Sequence, residues 1–351
     1  MDVVIINALL TRRCNLRCSY CRIYKNYSPE VAPAFENEIG VEGWKEAFRH
    51  LRQLYPSAFF CIFGGEPTLV GTWEEFLSLV SFLTDLGGET EGGPAHYSIC
   101  SNSVILTEER ARQLVDAGLL SWTASVDSLS DVFDASVSAK SRKGAYWLRR
   151  FKELGLPDAQ ATVVLHKHNY RELPEIVKVM THWGVWVEPT TLDWSLGEHY
   201  DFAEPLNEMA ASDLLLTPED EGDWRETERE LKEMLRSGRY LLYTTEEFID
   251  TAFHMMRGGV VRCAEMGLQP WNFLCVDADG KLRLCYRIRG RHTPKFSVFD
   301  IPGREGEIQE AMLRDRDELC HGCRWECLFP AKEAFKRRGF LSRSPSAWGR
   351  E

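Results

Sequence analysis

Three cysteines stand close together in the run Cys14-Asn15-Leu16-Arg17-Cys18-Ser19-Tyr20-Cys21. Three thiolates in one tight loop can ligate an iron–sulfur cluster, and a cubane takes four ligands. The missing fourth leaves one iron open to a non-protein ligand, which makes the loop a place for chemistry. A zinc knuckle is the structural alternative, but such sites pair two Cys-x2-Cys halves, and no second half is nearby. Tyr20 offers a ring that can stack on a planar ligand. A second run, Gly64-Gly65-Glu66-Pro67, follows the next apolar segment. Paired glycines allow close backbone approach to a small ligand, and Glu66 adds a carboxylate able to take an amino group. A third set is C-terminal: Cys263, Cys285, and Cys320-His321-Gly322-Cys323-Arg324-Trp325-Glu326-Cys327. Four of these thiols can also make a structural zinc site.

The elements that must position these residues alternate. Apolar segments at Val3–Leu10, Ala58–Phe63, His96–Cys100, Trp122–Val126, Gln160–His166 and Val185–Glu188 read as strands. Helical periodicity lies between them: Glu42–Leu54, a helix from Thr72 to about Leu86, one from Thr107 to Gly118, Gly144–Leu154, and one capped by Asn169 running to Trp183. Thr72 with Glu75 forms a capping box. Six βα repeats imply a parallel sheet with helices outside, wound as an open or closed barrel. Reactive groups in such folds sit at the carboxyl ends of strands, and the Cys14 loop follows the first strand. After Glu188 the pattern breaks. Thr217-Pro218-Glu219-Asp220 starts a highly charged helix ended by Gly238, which reads as solvent-facing. Asp277-Ala278-Asp279-Gly280 is a hairpin signal. The expected organisation is a barrel over 1–190, a helical linker over 191–260, a cysteine-rich hairpin and helix unit over 261–335, and a basic tail over 336–351.

The 351 residues carry 44% hydrophobic and 27% charged side chains, the balance of a globular chain. A net charge of −11 argues against a nucleic-acid surface. No signal peptide or membrane-length apolar stretch is visible. A cytoplasmic location follows, where eleven clustered cysteines point to metal rather than disulfides.

The two N-terminal motifs together resemble the radical S-adenosylmethionine (SAM) superfamily, marked by Cys-x3-Cys-x-aromatic-Cys after the first strand and a Gly-Gly-Glu-Pro segment after the second. The resemblance covers residues 3 to about 190. It implies an α/β fold, a partial (β/α)6 barrel followed by a small auxiliary-cluster domain. Cys14, Cys18 and Cys21 would hold a catalytic [4Fe–4S] cluster whose open iron takes the amino and carboxylate groups of SAM. Gly64, Gly65, Glu66 and Pro67 would receive the methionine amino group, and Tyr20 would lie near the adenine. Ser101 and Asn102, ending strand three, and Ser125 and Asp127, ending strand four, would contact the ribose and carboxylate; capping or turn chemistry is the alternative for Ser125 and Asp127. The glycine-rich segment that some members carry on strand five is not evident in Val163–Asn169. The C-terminal set resembles the SPASM/twitch extension, which implies one auxiliary [4Fe–4S] cluster with ligands drawn from Cys263, Cys285, Cys320, Cys323 and Cys327. Its Cys-x2-Cys-x3-Cys ending is shorter than the full pattern that houses two clusters. Cys61, Cys100 and Cys275 read as packed thiols. His166, His168, Asp193, Trp194, Tyr286 and Arg287 are substrate-contact candidates.

The implied activity is reductive cleavage of SAM to a 5′-deoxyadenosyl radical, which abstracts hydrogen from a peptide or protein side chain or a small molecule. An external flavodoxin- or ferredoxin-type donor would supply the electron, and the auxiliary cluster would aid substrate oxidation or binding. The alternative is an iron–sulfur or zinc scaffold, or an electron carrier, without turnover; a carrier has no need of the amino-acid clamp at Gly64–Pro67.

Overall fold

The computed structural model describes residues 1–18, 20–21, 37–88, 97–130, 135–192, 213–285, 288, 290–320 and 322. Asp193, Trp194, Tyr286, Arg287, Cys323, Cys327 and the basic tail lie outside the described residues.

Strands and helices alternate as the sequence periodicity predicts: β1 (Ile5–Leu9), α1 (Gly40–Leu54), β2 (Phe59–Phe63), α2 (Trp73–Gly88), β3 (Tyr97–Ser101), α3 (Glu108–Asp116), β4 (Ser121–Ser125), α4 (Ala135–Glu153), β5 (Asp158–Leu165), α5 (Leu173–His182) and β6 (Trp186–Thr191). Local signals set the ends. Thr72 and Glu75 form their reciprocal box at the start of α2. The Thr107 side chain accepts from the Arg110 amide, and Gly118 takes the positive φ of 85° beyond the end of α3. α4 begins nine residues before the expected Gly144. Asn169 does not cap a helix: its side chain ties the Asp127 and Val164 carbonyls together, and α5 starts after a 3-10 turn.

β1 to β6 pair in sequence order, all parallel, in one open sheet. This is the partial barrel. α6 (Glu221–Ser237) and α7 (Glu246–Met256) follow, then β7 (Phe273–Val276), β8 (Leu282–Arg283) and α8 (Glu305–Leu319). Gly238 ends α6 with φ 61°. α6 is not wholly solvent-facing: Trp224, Leu231 and Met234 are buried in the core, and Trp224 stacks near Phe253 of α7. Its charges are paired, Arg225 with Glu221 and Glu228, Lys178 with Glu230, and Arg236 with Glu246.

The β6 edge is covered and the sheet is extended beyond β1, so neither outer strand of the barrel is a free template for pairing. The Val187 amide of β6 donates to the Leu241 carbonyl (2.8 Å), and the Tyr243 amide donates back to Val187 (2.7 Å). At the other edge β7 pairs parallel with β1, Ile5 opposite Phe273 and Ala8 opposite Val276. The hairpin β7–β8 therefore continues the barrel sheet. Its turn is locked by buried charge: Asp277 takes Arg12 at 2.9 Å and Arg283 at 3.1 Å.

The two faces of the sheet differ. Ile6, Phe60, Ile62, Trp122, Ala124, Ala161, Val163 and Val187 are buried in the core, and the ring contacts Phe48–Phe60 and Trp122–Phe151 identify this as the helix-packed face. Strand alternation puts the intervening residues on the concave face. There Phe59, Cys61, Phe63, Cys100, Ser125, Thr162 and Glu188 are half-buried. Cys61 and Cys100, read as packed thiols, occupy the other phase of the strand alternation and are half-buried on this inner face, Cys61 packed against the core.

Candidate active site

The cysteine loop leaves the carboxyl end of β1. The Cys21 amide donates to the Cys18 carbonyl (3.0 Å), which turns the chain so that Cys14, Cys18 and Cys21 share one loop. All three are free thiols, with Cys18 buried. Cys14 Sγ accepts from the Leu16 amide (3.4 Å) and the Asn102 side-chain amide (3.9 Å). Burial pushes the Cys14 thiol up to about 11, and negative charge at Cys21 and Glu66 adds to the push. Among the described residues no group of three or more His, Cys, Asp or Glu closes on a single metal ion.

Gly64–Pro67 braces this loop. The Gly65 amide donates to the Thr11 carbonyl (2.8 Å) and the Glu66 amide to the Arg13 carbonyl (2.7 Å). A Cβ on Gly64 would fall 2.6 Å from the Thr11 oxygen, and one on Gly65 would overlap the Arg13 carbonyl. The glycines thus serve a close approach of backbone to backbone, directly upstream of Cys14. The Glu66 carboxylate is fully buried. Oε1 accepts from the Thr68 hydroxyl (2.7 Å) and the Ser101 hydroxyl (2.8 Å), and Oε2 accepts from the Asn102 amide (2.8 Å). Burial raises the Glu66 carboxyl above the usual range against these hydrogen bonds, which pull it down. Ser101 Oγ also accepts from the Ser103 amide (2.9 Å), and Asn102 donates to the Asn15 side chain (2.8 Å). Glu66, Ser101 and Asn102 therefore form one polar strut running from β2 through β3 to the cysteine loop. Pro67 opens the 3-10 turn behind it.

Tyr20 is fixed from the opposite side. Its hydroxyl donates to the buried Asp127 carboxylate and accepts from Lys140 Nζ (2.6 Å). The Lys140 ammonium stands 4.9 Å from the Tyr20 ring centroid and 2.9 Å from Asp127 Oδ2. Asp127 Oδ1 accepts from the Val164 amide (2.9 Å). Burial pulls the Lys140 ammonium down, but the Asp127 carboxylate and negative charge at Cys18 and Cys21 together hold the group raised. Lys140, on the part of α4 that periodicity misses, is the site residue absent from the sequence reading; a lysine there reads as an exposed helix residue. His166 lies behind Tyr20, ring centroids 6.4 Å apart, fully buried. Burial lowers its imidazole to about 4, and His168 and Lys140 lower it further against the pull of Asp127. Ser125 lies half-buried on the inner face below Asp127.

Residues 9–180 match the sequence profile of the Radical SAM superfamily. That segment is a radical SAM superfamily domain. "PqqA peptide cyclase" of Bradyrhizobium diazoefficiens is 29% identical over 177 residues, 48% of this chain and 41% of that relative. The chain spans less than half the length of the curated relatives it matches. The solved structure of native anSMEcpe with bound AdoMet superposes with a TM-score of 0.57 at 14% identity, covering 95% of this chain and 98% of that one. Streptococcus suis SuiB bound to precursor peptide SuiA gives 0.53 at 12% identity, covering 80% of this chain and 58% of that one. These likenesses support the radical SAM partial-barrel fold, and the family and its enzyme-named relative make the chain an enzyme. Membership implies a [4Fe–4S] cluster and SAM as cofactors. The donor chemistry fits such a cluster: three free, soft sulfur ligands in one loop, with the buried Glu66 carboxylate as a negative neighbour of Cys14.

The C-terminal cysteines occupy another region. β8 runs antiparallel to β7, Arg283 opposite Cys275. Its direction carries Cys285 away from the hairpin turn, toward the level of Phe273, a span of about 13 Å along the sheet. Cys263 sits in a 3-10 turn ahead of β7, and Cys320 follows α8. Gly322 packs against Val260 and Val261 so closely that a Cβ would fall 2.8 Å from the Val260 side chain, which brings the segment after Cys320 beside the one before Cys263. Cys275 is buried in β7. Among the described residues no helix is long and apolar enough to cross a membrane.

Proposed function

We propose that this chain is a radical SAM enzyme acting on a peptide or protein side chain, with Cys14, Cys18 and Cys21 as the ligands of its catalytic cluster. The observation that carries this is the thiol loop at the carboxyl end of β1, braced by the Glu66–Ser101–Asn102 strut. When bound, the cluster and SAM supply one-electron cleavage of a carbon–sulfur bond and hydrogen-atom abstraction from the substrate. The protein's part is to hold and shield. Gly64–Pro67 and the Glu66 strut fix the loop, Asn102 reaches the Cys14 sulfur, and the Asp127–Lys140 pair locks Tyr20 beside it. Gly64, Gly65, Glu66, Pro67, Ser101, Asn102, Ser125, Asp127 and Tyr20 form the cofactor wall in this reading. Because Glu66 and Asp127 are engaged by donors within the chain, they serve mainly by shaping that wall.

The peptide reading draws on the substrates named for PqqA peptide cyclase and SuiB. Cys263, Cys285 and Cys320, with Cys323 and Cys327, supply the ligands of one auxiliary [4Fe–4S] cluster in the 261–335 unit, which accepts the substrate's electron or anchors substrate. A flavodoxin- or ferredoxin-type protein of the cytoplasm reduces the catalytic cluster.

The test is anaerobic reconstitution with iron, sulfide and SAM. Dithionite should release 5′-deoxyadenosine from the wild-type protein, and Cys14→Ala, Cys18→Ala or Cys21→Ala should abolish it. Iron should fall from about eight to about four atoms per chain in a triple Cys→Ala variant if the auxiliary cluster is present. Release unchanged in the cysteine variants would sink the assignment.

A further inference from the structure

α4 is held against the end of β4 by two contacts. The Asp127 amide donates to Ser141 Oγ (3.0 Å). Gly144 packs so closely that a Cβ there would fall 2.5 Å from the Ser125 carbonyl oxygen. Lys140 lies one turn before Gly144 on the same face of the helix, and it is nearly fully buried. A lysine is almost never buried without a partner. This one has Asp127 Oδ2 at 2.9 Å, the Tyr20 hydroxyl at 2.6 Å and the face of the Tyr20 ring at 4.9 Å.

The carboxylate alone would satisfy the charge. The ring contact adds a second consequence, because Tyr20 stands between Cys18 and Cys21 and the cation therefore lies against the cysteine loop itself. Against the pull of burial, negative charge at Asp127, Cys18 and Cys21 holds the ammonium raised. Coulomb attraction is mutual, so the same cation eases negative charge on the loop. From the other side, negative charge at Glu66 acts on Cys14. His166 also faces Lys140, but burial keeps it neutral and it adds no charge.

We propose that the Lys140–Asp127 pair sets the reduction potential of the catalytic cluster, Lys140 raising it and Asp127 lowering it. This rests on the reading of Cys14, Cys18 and Cys21 as the cluster ligands. The step concerned is uptake of one electron from the external donor, with no bond made or broken. A reduced cluster carries one more negative charge than an oxidised one, so a nearby cation favours reduction and a nearby anion opposes it. Burial of both partners limits screening by salt. Lys140 is thus a positioning residue: it fixes Tyr20 and acts on the cluster through space.

The test reads a potential rather than turnover. The full chain is reconstituted anaerobically and titrated with dithionite in the absence of SAM, with the reduced cluster followed by electron paramagnetic resonance. The signal missing from Cys14→Ala identifies the catalytic cluster. Asp127→Asn leaves the Lys140 charge unbalanced. Lys140→Met leaves the Asp127 charge unbalanced, and the Val164 amide and the Tyr20 hydroxyl keep that carboxylate ionised. At fixed potential the ratio of reduced to oxidised cluster should rise about tenfold in Asp127→Asn and fall about tenfold in Lys140→Met, a shift of about 59 mV either way for one electron. The double variant and Lys140→Arg should return close to the wild-type value. Shifts in the same direction for both single variants, as loosening of the loop would give, overturn the proposal. So does an unchanged potential in all of them, or a shift that appears only when SAM is present. Iron and sulfide content of the wild-type protein separates the two readings. A chain that takes up no catalytic cluster defeats both, whereas a full cluster that ignores the two charges defeats only this one.

Discussion

The carboxyl end of the sheet has two halves built on opposite terms. On the β1–β3 half, polar groups are spent on one another: Glu66 takes Thr68, Ser101 and Asn102, and Asn102 takes Asn15. On the β4–β6 half the upper row is closed too, Asp127 taken by Tyr20, Lys140 and the Val164 amide, while Ser125 and Thr162 below it stay half-buried near a Gln160 oxygen that has no partner among the described residues. The first half has the character of a holder and the second of a receiver. Pre-organisation demands that the group starting a reaction be rigid, whereas a group that meets substrate must leave valences open.

The largest break in this comparison comes from the holder's backbone. Gly65→Ala puts a methyl onto the Arg13 carbonyl, where the Gly65 and Glu66 amides are tied to the Thr11 and Arg13 carbonyls and leave little room to retreat. Backbone-on-backbone overlap places it among the severe substitutions, about 4 kcal/mol or more. Urea unfolding of the metal-free chain should register that loss, and iron uptake should fall with it. Ala in place of Gly155, where a Cβ meets nothing within 4 Å but φ is 88°, should cost only about 1 kcal/mol. Equal effects at the two sites would show that the glycine pair has no bracing role.

The receiver half is sharpened by pH. His166, at the end of β5, is held neutral, its imidazole lowered by burial to about 4 from an ordinary 6.5. A base with a lowered folded value must take up its proton on unfolding. The stability it contributes is therefore complete above pH 6.5 and is lost as pH falls from 6.5 toward 4. The difference corresponds to about 3 kcal/mol. His166→Phe should flatten the acid limb of the stability curve by that amount, measured by urea unfolding at pH 7 and pH 4. An unchanged limb would mean that the ring is already charged in the folded protein.

Much of this frame was legible in the sequence. The Thr72–Glu75 box, the Thr107 cap, Gly118 and the Asp277–Gly280 turn are local signals, and each acts where its spacing places it. The Cys14 loop at the end of β1 follows from motif and strand together. What escaped is non-local. Lys140 lies on a stretch of α4 rich in serine, and only the fold brings it to Tyr20 and Asp127. The carbonyls that require glycine at 64 and 65 lie some fifty residues upstream. β7 joins β1 across the length of the chain through a register that no local pattern announces.

The smallest effects draw the finest line between the halves. Ser101→Ala removes a buried hydroxyl that donates to Glu66 Oε1 and accepts from the Ser103 amide. Two partners lose their bond in a place water does not reach, so about 2 kcal/mol should go. Thr162→Val removes a hydroxyl that makes no hydrogen bond among the described residues and sits where solvent enters, so its stability change should stay within about 0.5 kcal/mol. If the inner face receives substrate, Thr162→Val should instead weaken substrate binding while leaving urea unfolding in place. Ser101→Ala should move unfolding first and affect binding only through it. A Thr162→Val variant as unstable as Ser101→Ala would mean that the receiver half is also closed on itself, and the contrast between holding and receiving would have to be given up.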